Sequence, residues 1–294
     1  MLVRTRAVSI CGSDIPYFTR GAAVDGHARV GYPAHEMVGD VVASRDPGTR
    51  PGDRVVGWAS SADALAELVV TSGSGLAVCD PTFPPERVVL AQPLACVLQA
   101  VDRLPQLRDV DAAIIGLGPI GLLFGHVMSS RGAARITGID PVDRSSVTAE
   151  FGITDFVQST STTWAATIEG GECPTVVIEA VGHQVATLSD ALSAVSVGGT
   201  VYAFGIPHPE DYPLNVTTLV RNNLTLLGGI TTDRRRYLQL ALEYLQRHPD
   251  LPDVLITDVM PSTAAQTAYE AASQPRRDRL KVTLTFHDPG DSNA

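Results

Sequence analysis

The stretch "DAAIIGLGPIGLLFGHVMSSRG", residues 111–132, constrains the fold of this 294-residue chain more than any other. A short apolar run leads into a glycine turn and then into an apolar stretch with helical character. The glycines are Gly116, Gly118 and Gly121, in G-x-G-x-x-G register, with Pro119 and Ile120 filling the turn. Each glycine answers a geometric need: a tight turn, room for backbone beside a pyrophosphate, and close packing of helix on strand. The free N–H groups and positive dipole end of the helix then face phosphate. A second strand, "ARITGID", ends in Asp140, 19 residues after Gly121. A carboxylate there accepts both hydroxyls of an adenosine ribose and repels a 2′-phosphate, which favours NAD(H) over NADP(H). Arg144 nearby tempers that preference.

Further strand-and-glycine units follow: "PTVVIEAVG", "GGTVYAFGIP" and "LTLLGGI". Parallel strands buried on both faces read as apolar runs of this kind. The middle of the chain is therefore read as a Rossmann domain, an α/β doubly wound parallel sheet. The length suits a second domain beside it. Hydrophobic residues make up 44% and charged residues 18%, as in a globular protein. Glycine, proline or charge interrupts the apolar runs well short of a membrane span, and residues 1–10 carry two arginines in place of an apolar leader core. A net charge of −10 argues against nucleic acid as a partner. The four cysteines, at 11, 79, 96 and 173, form no CxxC pair, and a reducing cytoplasm is expected. Of the 22 basic residues only Lys281 is lysine. The tail "HDPGDSNA" reads as disordered.

The first hundred residues read as short strands between Gly and Pro turns, the pattern of a small β-barrel. "LVRTRAVSI" alternates like a strand before Gly12, Ser13 and Asp14 break it; "GYPAHEMVGDVVA" sets His35 and Glu36 at a strand start; "PGDRVVGW" is a turn and a strand. On its own, Cys11 is either a metal ligand or a small buried turn residue.

The order C-G-S-D, P-x-H-E-x-x-G, P-G-D-R-V and then the glycine fingerprint resembles the medium-chain dehydrogenase/reductase superfamily. The likeness is strongest to its zinc-containing polyol and alcohol dehydrogenase branch and runs to "LKVTLTF" at 280–286. It implies a GroES-like β-barrel catalytic domain over 1–92, completed by 232–294, and a Rossmann domain over 93–231. The active site would lie in the cleft between them. The resemblance also implies one catalytic zinc held by Cys11 and His35, with Glu36 as ligand or close neighbour. Asp14 would orient His35 and Ser13 would pass on the substrate proton. Thiolate, imidazole and carboxylate suit zinc, which with an open position acts as a Lewis acid.

Lys281 falls where the family places a basic residue on the cofactor pyrophosphate; a surface lysine is the plain alternative. Val181, Gly205, Ile206 and Gly229 fall at strand ends beside the expected nicotinamide site. Tyr17, Phe18 and Trp58 are candidate walls of the substrate pocket. "DRRRYLQLALEYLQRH" reads as an amphipathic helix with solvated arginines and Leu238, Leu242 and Leu245 toward a core.

Four departures accompany the resemblance. Gln92 begins the run "QPLACVLQA" where polyol dehydrogenases carry a carboxylate ligand, and an amide is a poor zinc ligand. Cys96 is a conceivable substitute, or simply packs in its helix. Pro16 stands in place of a proton-relay histidine. The cysteine-rich structural-zinc lobe is absent, so one zinc per chain is expected. The strand pair that usually precedes the cysteine segment is absent, leaving a barrel edge open or paired with another subunit. The implied activity is NAD(H)-dependent interconversion of an alcohol, for preference a secondary hydroxyl of a polyol, sugar or cyclitol, and its ketone or aldehyde. "LTLLGGI" resembles the family's sheet-pairing edge, which implies a homodimer or homotetramer. A zinc-independent reductase of the same superfamily and a noncatalytic NAD(H)-binding sensor are the alternatives.

Overall fold

The computed structural model of the chain describes residues 1–20, 30–168, 173–207 and 211–287. The tail from residue 288 lies outside them. The chain divides into two compact units, Met1–Cys96 with Thr232–Ala294, and Val97–Thr231.

The first unit begins with β1 (Leu2–Ser9), whose alternating burial is that of a strand with one face on a core. The turn at Gly12–Asp14 leads into a short helix, α1 (Ile15–Thr19). Then come β2 (Glu36–Ala43), β3 (Arg54–Trp58), β4 (Leu68–Val70) and β5 (Leu76–Val78), followed by α2 (Pro85–Val88) and the start of α3 (Ala91–Asp102). The second unit holds β6 (Asp111–Ile115), α4 (Pro119–Ser130), β7 (Arg135–Asp140), β8 (Asp155–Gln158), α5 (Ser161–Thr167) and β9 (Val176–Glu179). It continues with α6 (Val185–Ala194), β10 (Thr200–Ala203), α7 (Val216–Arg221) and β11 (Thr225–Gly228). The chain returns to the first unit through α8 (Arg234–Arg247), α9 (Leu251–Leu255), β12 (Ile256–Pro261), α10 (Ala265–Ala272) and β13 (Lys281–Thr285).

In the first unit, a mixed sheet runs in the order β12-β13-β1-β2-β3-β5, with β4 also pairing β1. Strand β1 is antiparallel to β2 along its length, to β13 at one end and to β4 at the other. The open edge expected at the start of the chain is thus not at β1, which has neighbours on both sides. One core gathers Val3, Val8, Met37, Val41, Val55 and Leu76; another gathers Ile10, Tyr269, Val282 and Leu284. Helix α8 packs on β3 and β5, with Leu238 beside Gly57; Leu238 and Leu245 are buried, while Leu242 is half-buried.

Its arginines do more than meet solvent. The Arg234 guanidinium lies over the Trp58 ring, 5.1 Å from its centroid, and Arg235 Nη2 donates to Asp46 Oδ2 and to Gly73 O, each at 2.7 Å. Planar, fork-like donors on a helix N-terminus tie it to the sheet in a way that charge alone does not reveal.

In the second unit, six parallel strands run β11-β10-β9-β6-β7-β8. β6 and β9 are buried on both faces, as their unbroken apolar runs require. No helix among the described residues is long and apolar enough to cross a membrane.

Candidate functional site

Three potential ligand atoms meet in the first unit. The Cys11 thiol, a His35 ring nitrogen and a Glu36 carboxylate oxygen all lie within 4.8 Å of one another, the one such group among the described residues. Local structure brings them together. Cys11 follows the end of β1, where the Gly12–Asp14 turn ends the strand. His35 immediately precedes β2 and Glu36 opens it, and the strand's register sets Glu36 directly opposite Ser9 on β1 and Trp58 on β3.

Asp14 joins the first two. One of its oxygens accepts from the Cys11 backbone N–H at 3.0 Å, and the other lies 3.0 Å from His35 Nδ1. A single buried carboxylate therefore fixes the turn that carries the thiol and the face of the imidazole. With Nδ1 engaged, Nε2 is the nitrogen left for a metal, the arrangement a ligating histidine needs. Burial opposes a charge on the His35 ring. The hydrogen bonds to Asp14 and Cys11, with the charges of both groups, outweigh burial and hold its pKa well above the ordinary value.

Glu36 is 1% exposed, and its two oxygens have different surroundings. Oε2 accepts from Ser9 Oγ and meets Lys281 Nζ at 2.6 Å. Oε1 is buried with no hydrogen-bond partner. An unpartnered buried carboxylate oxygen costs on the order of 1–3 kcal/mol or more unless something satisfies it. Beside a thiol and an imidazole, a soft-to-borderline divalent cation answers that need, and the donor set is one that zinc takes. The residues present fit a zinc ion.

Lys281 departs from the expectation for it. The ammonium is 3% exposed and paired with Glu36, so it is neither a surface lysine nor presented to a phosphate in this conformation. Register is the cause: Ser9 sits opposite Glu36 on one side and Thr283 on the other, and Lys281 shares the face of Thr283 two residues away. Burial pulls the Lys281 pKa down, but the charges of Glu36, Cys11 and Asp14 and the bond to Glu36 carry it above the usual value.

Cys96 is not in the three-residue group. Gln92 is buried at the start of α3, and its amide nitrogen lies 3.6 Å from Cys96 Sγ. Ser13 is half-buried in the turn next to Asp14. Tyr17 is 40% exposed and meets Tyr32 edge to face. Phe18 stacks on Tyr269, ring centroids 5.0 Å apart, so it belongs to a core and not to a pocket wall. Trp58 is buried under Arg234.

In the second unit, Gly116 has φ +92°, open to glycine with little strain, and α4 begins at Pro119. A Cβ on Gly121 would come within 1.8 Å of Gly116 O, so helix and turn close on each other only without one. Asp140 is buried and already bonded: Oδ2 accepts from Leu117 N and Oδ1 from Val142 N, both at 2.7 Å. It fixes the turn, and each oxygen keeps a second lone pair able to accept a further hydrogen bond.

A residue the sequence reading passed over does the same work at the end of β9. Glu179 ends β9, is 2% exposed, and its Oε1 accepts from Val181 N, Gly182 N and Thr187 Oγ1 at 2.9–3.0 Å. It shapes the backbone at Val181 and Gly182, against which Gly205 packs too closely for any Cβ. Its signal was an acid between a buried strand and a glycine in "VIEAVG". Ile206 is exposed, and at Gly229 an added Cβ would meet Arg103 Nη1.

The family described as "Glucose dehydrogenase C-terminus" matches residues 88–286, and "Alcohol dehydrogenase GroES-like domain" matches residues 1–77. The chain is 25% identical to a sorbitol dehydrogenase of Bacillus subtilis, over 97% of this chain and 89% of that protein. It is 26% identical to a D-altritol 5-dehydrogenase of Agrobacterium fabrum, over 88% and 84%. An alcohol dehydrogenase from Thermus sp. ATN1 superposes with a TM-score of 0.82 at 27% identity, covering 97% of this chain and 92% of that one. With matches from residue 1 to residue 286 and a thiol–imidazole–carboxylate group at the head of the sheet, the chain belongs to the medium-chain dehydrogenase/reductase superfamily, in its zinc-type alcohol and polyol dehydrogenase branch.

Proposed function

We propose that this chain is an NAD(H)-dependent oxidoreductase that interconverts a secondary hydroxyl of a polyol, sugar or cyclitol and its ketone, with one zinc at Cys11, His35 and Glu36. The observation that carries the reading is the unpartnered, buried Glu36 Oε1 beside a thiol and an imidazole. When bound, zinc supplies Lewis acidity to a substrate oxygen, and the nicotinamide supplies the hydride acceptor.

The chain's own residues bind and orient. Asp14 holds His35 by Nδ1 and the Cys11 turn by its N–H, so both ligands are set before a metal arrives. Lys281 and Ser9 hold Glu36 by Oε2 and leave Oε1 to the metal. Ser13 takes the proton of the substrate hydroxyl at its Oγ, and with Pro16 in the relay position it passes that proton to water or to a cofactor hydroxyl. Tyr17 supplies an exposed aromatic edge to the substrate pocket. Gly116, Gly118 and Gly121 cradle the pyrophosphate, Asp140 takes the adenosine ribose, and Val181, Gly205, Ile206 and Gly229 give the nicotinamide ring a close backbone surface. Gln92 stays outside the coordination, which leaves thiolate, imidazole and carboxylate as the protein ligands.

The names of the relatives, a sorbitol and an altritol dehydrogenase among them, support a polyol substrate. β11 ends the parallel sheet and, among the described residues, pairs with β10 alone, which supports a homodimer or homotetramer paired along that edge. A reducing compartment such as the cytoplasm keeps a ligand thiol available.

A panel of polyols offered with NAD+, followed by absorbance of the reduced nicotinamide, tests the reading. At least one polyol is turned over, a strong chelator abolishes that turnover, and added zinc restores it. Turnover that survives complete metal removal contradicts the reading.

A further inference from the structure

We propose that Lys281, the one lysine in the chain, is a positioning residue of the metal centre and not a contact of the cofactor phosphates; this rests on the zinc reading above. Three observations converge. The Lys281 ammonium sits 2.6 Å from Glu36 Oε2 with both side chains almost wholly buried, 3% and 1% exposed. Ser9 Oγ bonds the same oxygen from the neighbouring strand. The other oxygen, Oε1, is buried and has no partner.

A buried carboxylate turns about its last bond until both oxygens are satisfied, unless one is held. Here two donors from β1 and β13 hold Oε2, and the open oxygen is the one left for a cation beside Cys11 and His35. The division of labour between the two oxygens makes Glu36 a one-oxygen ligand by construction. Without Lys281 the carboxylate is an uncompensated buried charge, the costly half of a broken ion pair.

The choice of lysine is itself informative. Every other basic residue of the 22 is arginine, so the composition favours arginine wherever arginine serves. A guanidinium brings five donors in a planar fork and needs partners for all of them, whereas an ammonium is a compact point charge. A dry position with a single carboxylate oxygen to meet selects the ammonium.

The two roles for Lys281 predict different losses in Lys281→Met. Zinc affinity is read by competition with a chromophoric chelator, coordination by the visible spectrum of the cobalt-substituted protein, and cofactor affinity by NADH fluorescence. If Lys281 positions Glu36, zinc affinity falls by about tenfold or more, as loss of a group behind a metal ligand does. The cobalt spectrum changes because the second carboxylate oxygen is released, and NADH affinity stays within about twofold of wild type, since the ammonium is spent on Glu36. A Lys281→Met protein with wild-type zinc affinity and an unchanged cobalt spectrum overturns the proposal, and a loss of NADH affinity alongside them assigns Lys281 to the phosphates. If Lys281→Met does not fold, Ser9→Ala removes the second donor to Oε2. A smaller fall in zinc affinity, about threefold, is then expected on the same grounds, and an unchanged affinity overturns the proposal. Wild-type protein that binds no zinc at all is a different result, which removes the zinc reading itself.

Discussion

Asp14→Asn probes the centre through a group that touches no substrate. Asp14 is 3% exposed and serves two donors, the Cys11 backbone N–H and the His35 ring at Nδ1, each at 3.0 Å. A carboxylate accepts at both oxygens, whereas an amide has one acceptor and one donor, so one of the two N–H groups must face an N–H. Losing one hydrogen bond to a charged acceptor and leaving one buried donor unsatisfied costs about 2–4 kcal/mol in total. Part of that appears as reduced stability and part as lost metal affinity, because either the thiol turn or the imidazole is released. About 1.4 kcal/mol of it is a tenfold loss of zinc affinity, within the range of about 10–100-fold expected when a metal-ligating histidine loses its carboxylate. Chelator competition gives the affinity, and thermal melting with and without zinc separates it from loss of fold. Asp14→Asn that folds normally and binds zinc within threefold of wild type would refute the coupling of Asp14 to the two ligands.

Three further perturbations test other parts of the molecule. Asp40 sits between Arg6 and Arg54, at 2.7 and 2.5 Å; burial pushes its pKa up, but the bonds to the two guanidinium groups and their charges bring it below its ordinary value. A depressed native pKa means stability that is present above the unfolded pKa, near 4, and is lost as pH falls through the native one; acid melting of Asp40→Asn should be flatter below about pH 4, and a parallel loss in both proteins would rule the link out. Gly121→Ala places a Cβ within 1.8 Å of Gly116 O and should abolish NADH binding, by fluorescence titration, while zinc binding in the other unit is kept; an intact NADH affinity would refute the close approach. Glu179→Ala strips the acceptor from Val181 N, Gly182 N and Thr187 Oγ1 and should lower stability by about 2–4 kcal/mol in urea unfolding, with weaker NADH binding; a loss under about 0.5 kcal/mol would contradict the bonding described.

Much of the fold was legible because local signals and fold agreed. The glycines of residues 116–121 serve the turn and the close packing of helix on strand at once, and strands buried on both faces announce themselves as apolar runs. Cys11, His35 and Glu36 were legible through the order of their motifs, not through any property of each residue. What escaped the sequence depended on register between strands distant in the chain. The family resemblance set Lys281 at the cofactor pyrophosphate, and its alternative was a surface lysine because lysines are rarely buried. Only the pairing of β13 with β1, and of β1 with β2, brings it to Glu36, 245 residues earlier. Phe18 went astray for a similar reason, since its partner Tyr269 lies on α10 near the other end of the chain. Glu179 and Asp140 were half legible: an acid at a strand end is visible, but its bonds to the backbone of the following turn are not. The arginines of α8 read as solvated charge, because a face tied to backbone carbonyls and one facing water have the same composition.

Metal content bears most directly on the central claim. The protein would be purified without added zinc, beside Cys11→Ser, and both weighed for metal by mass spectrometry. About one zinc per chain in the wild type, lost in Cys11→Ser while NADH still binds, is the result predicted from the Cys11–His35–Glu36 group. No zinc in either protein, with NADH binding intact, would contradict a metal-dependent dehydrogenase at this site.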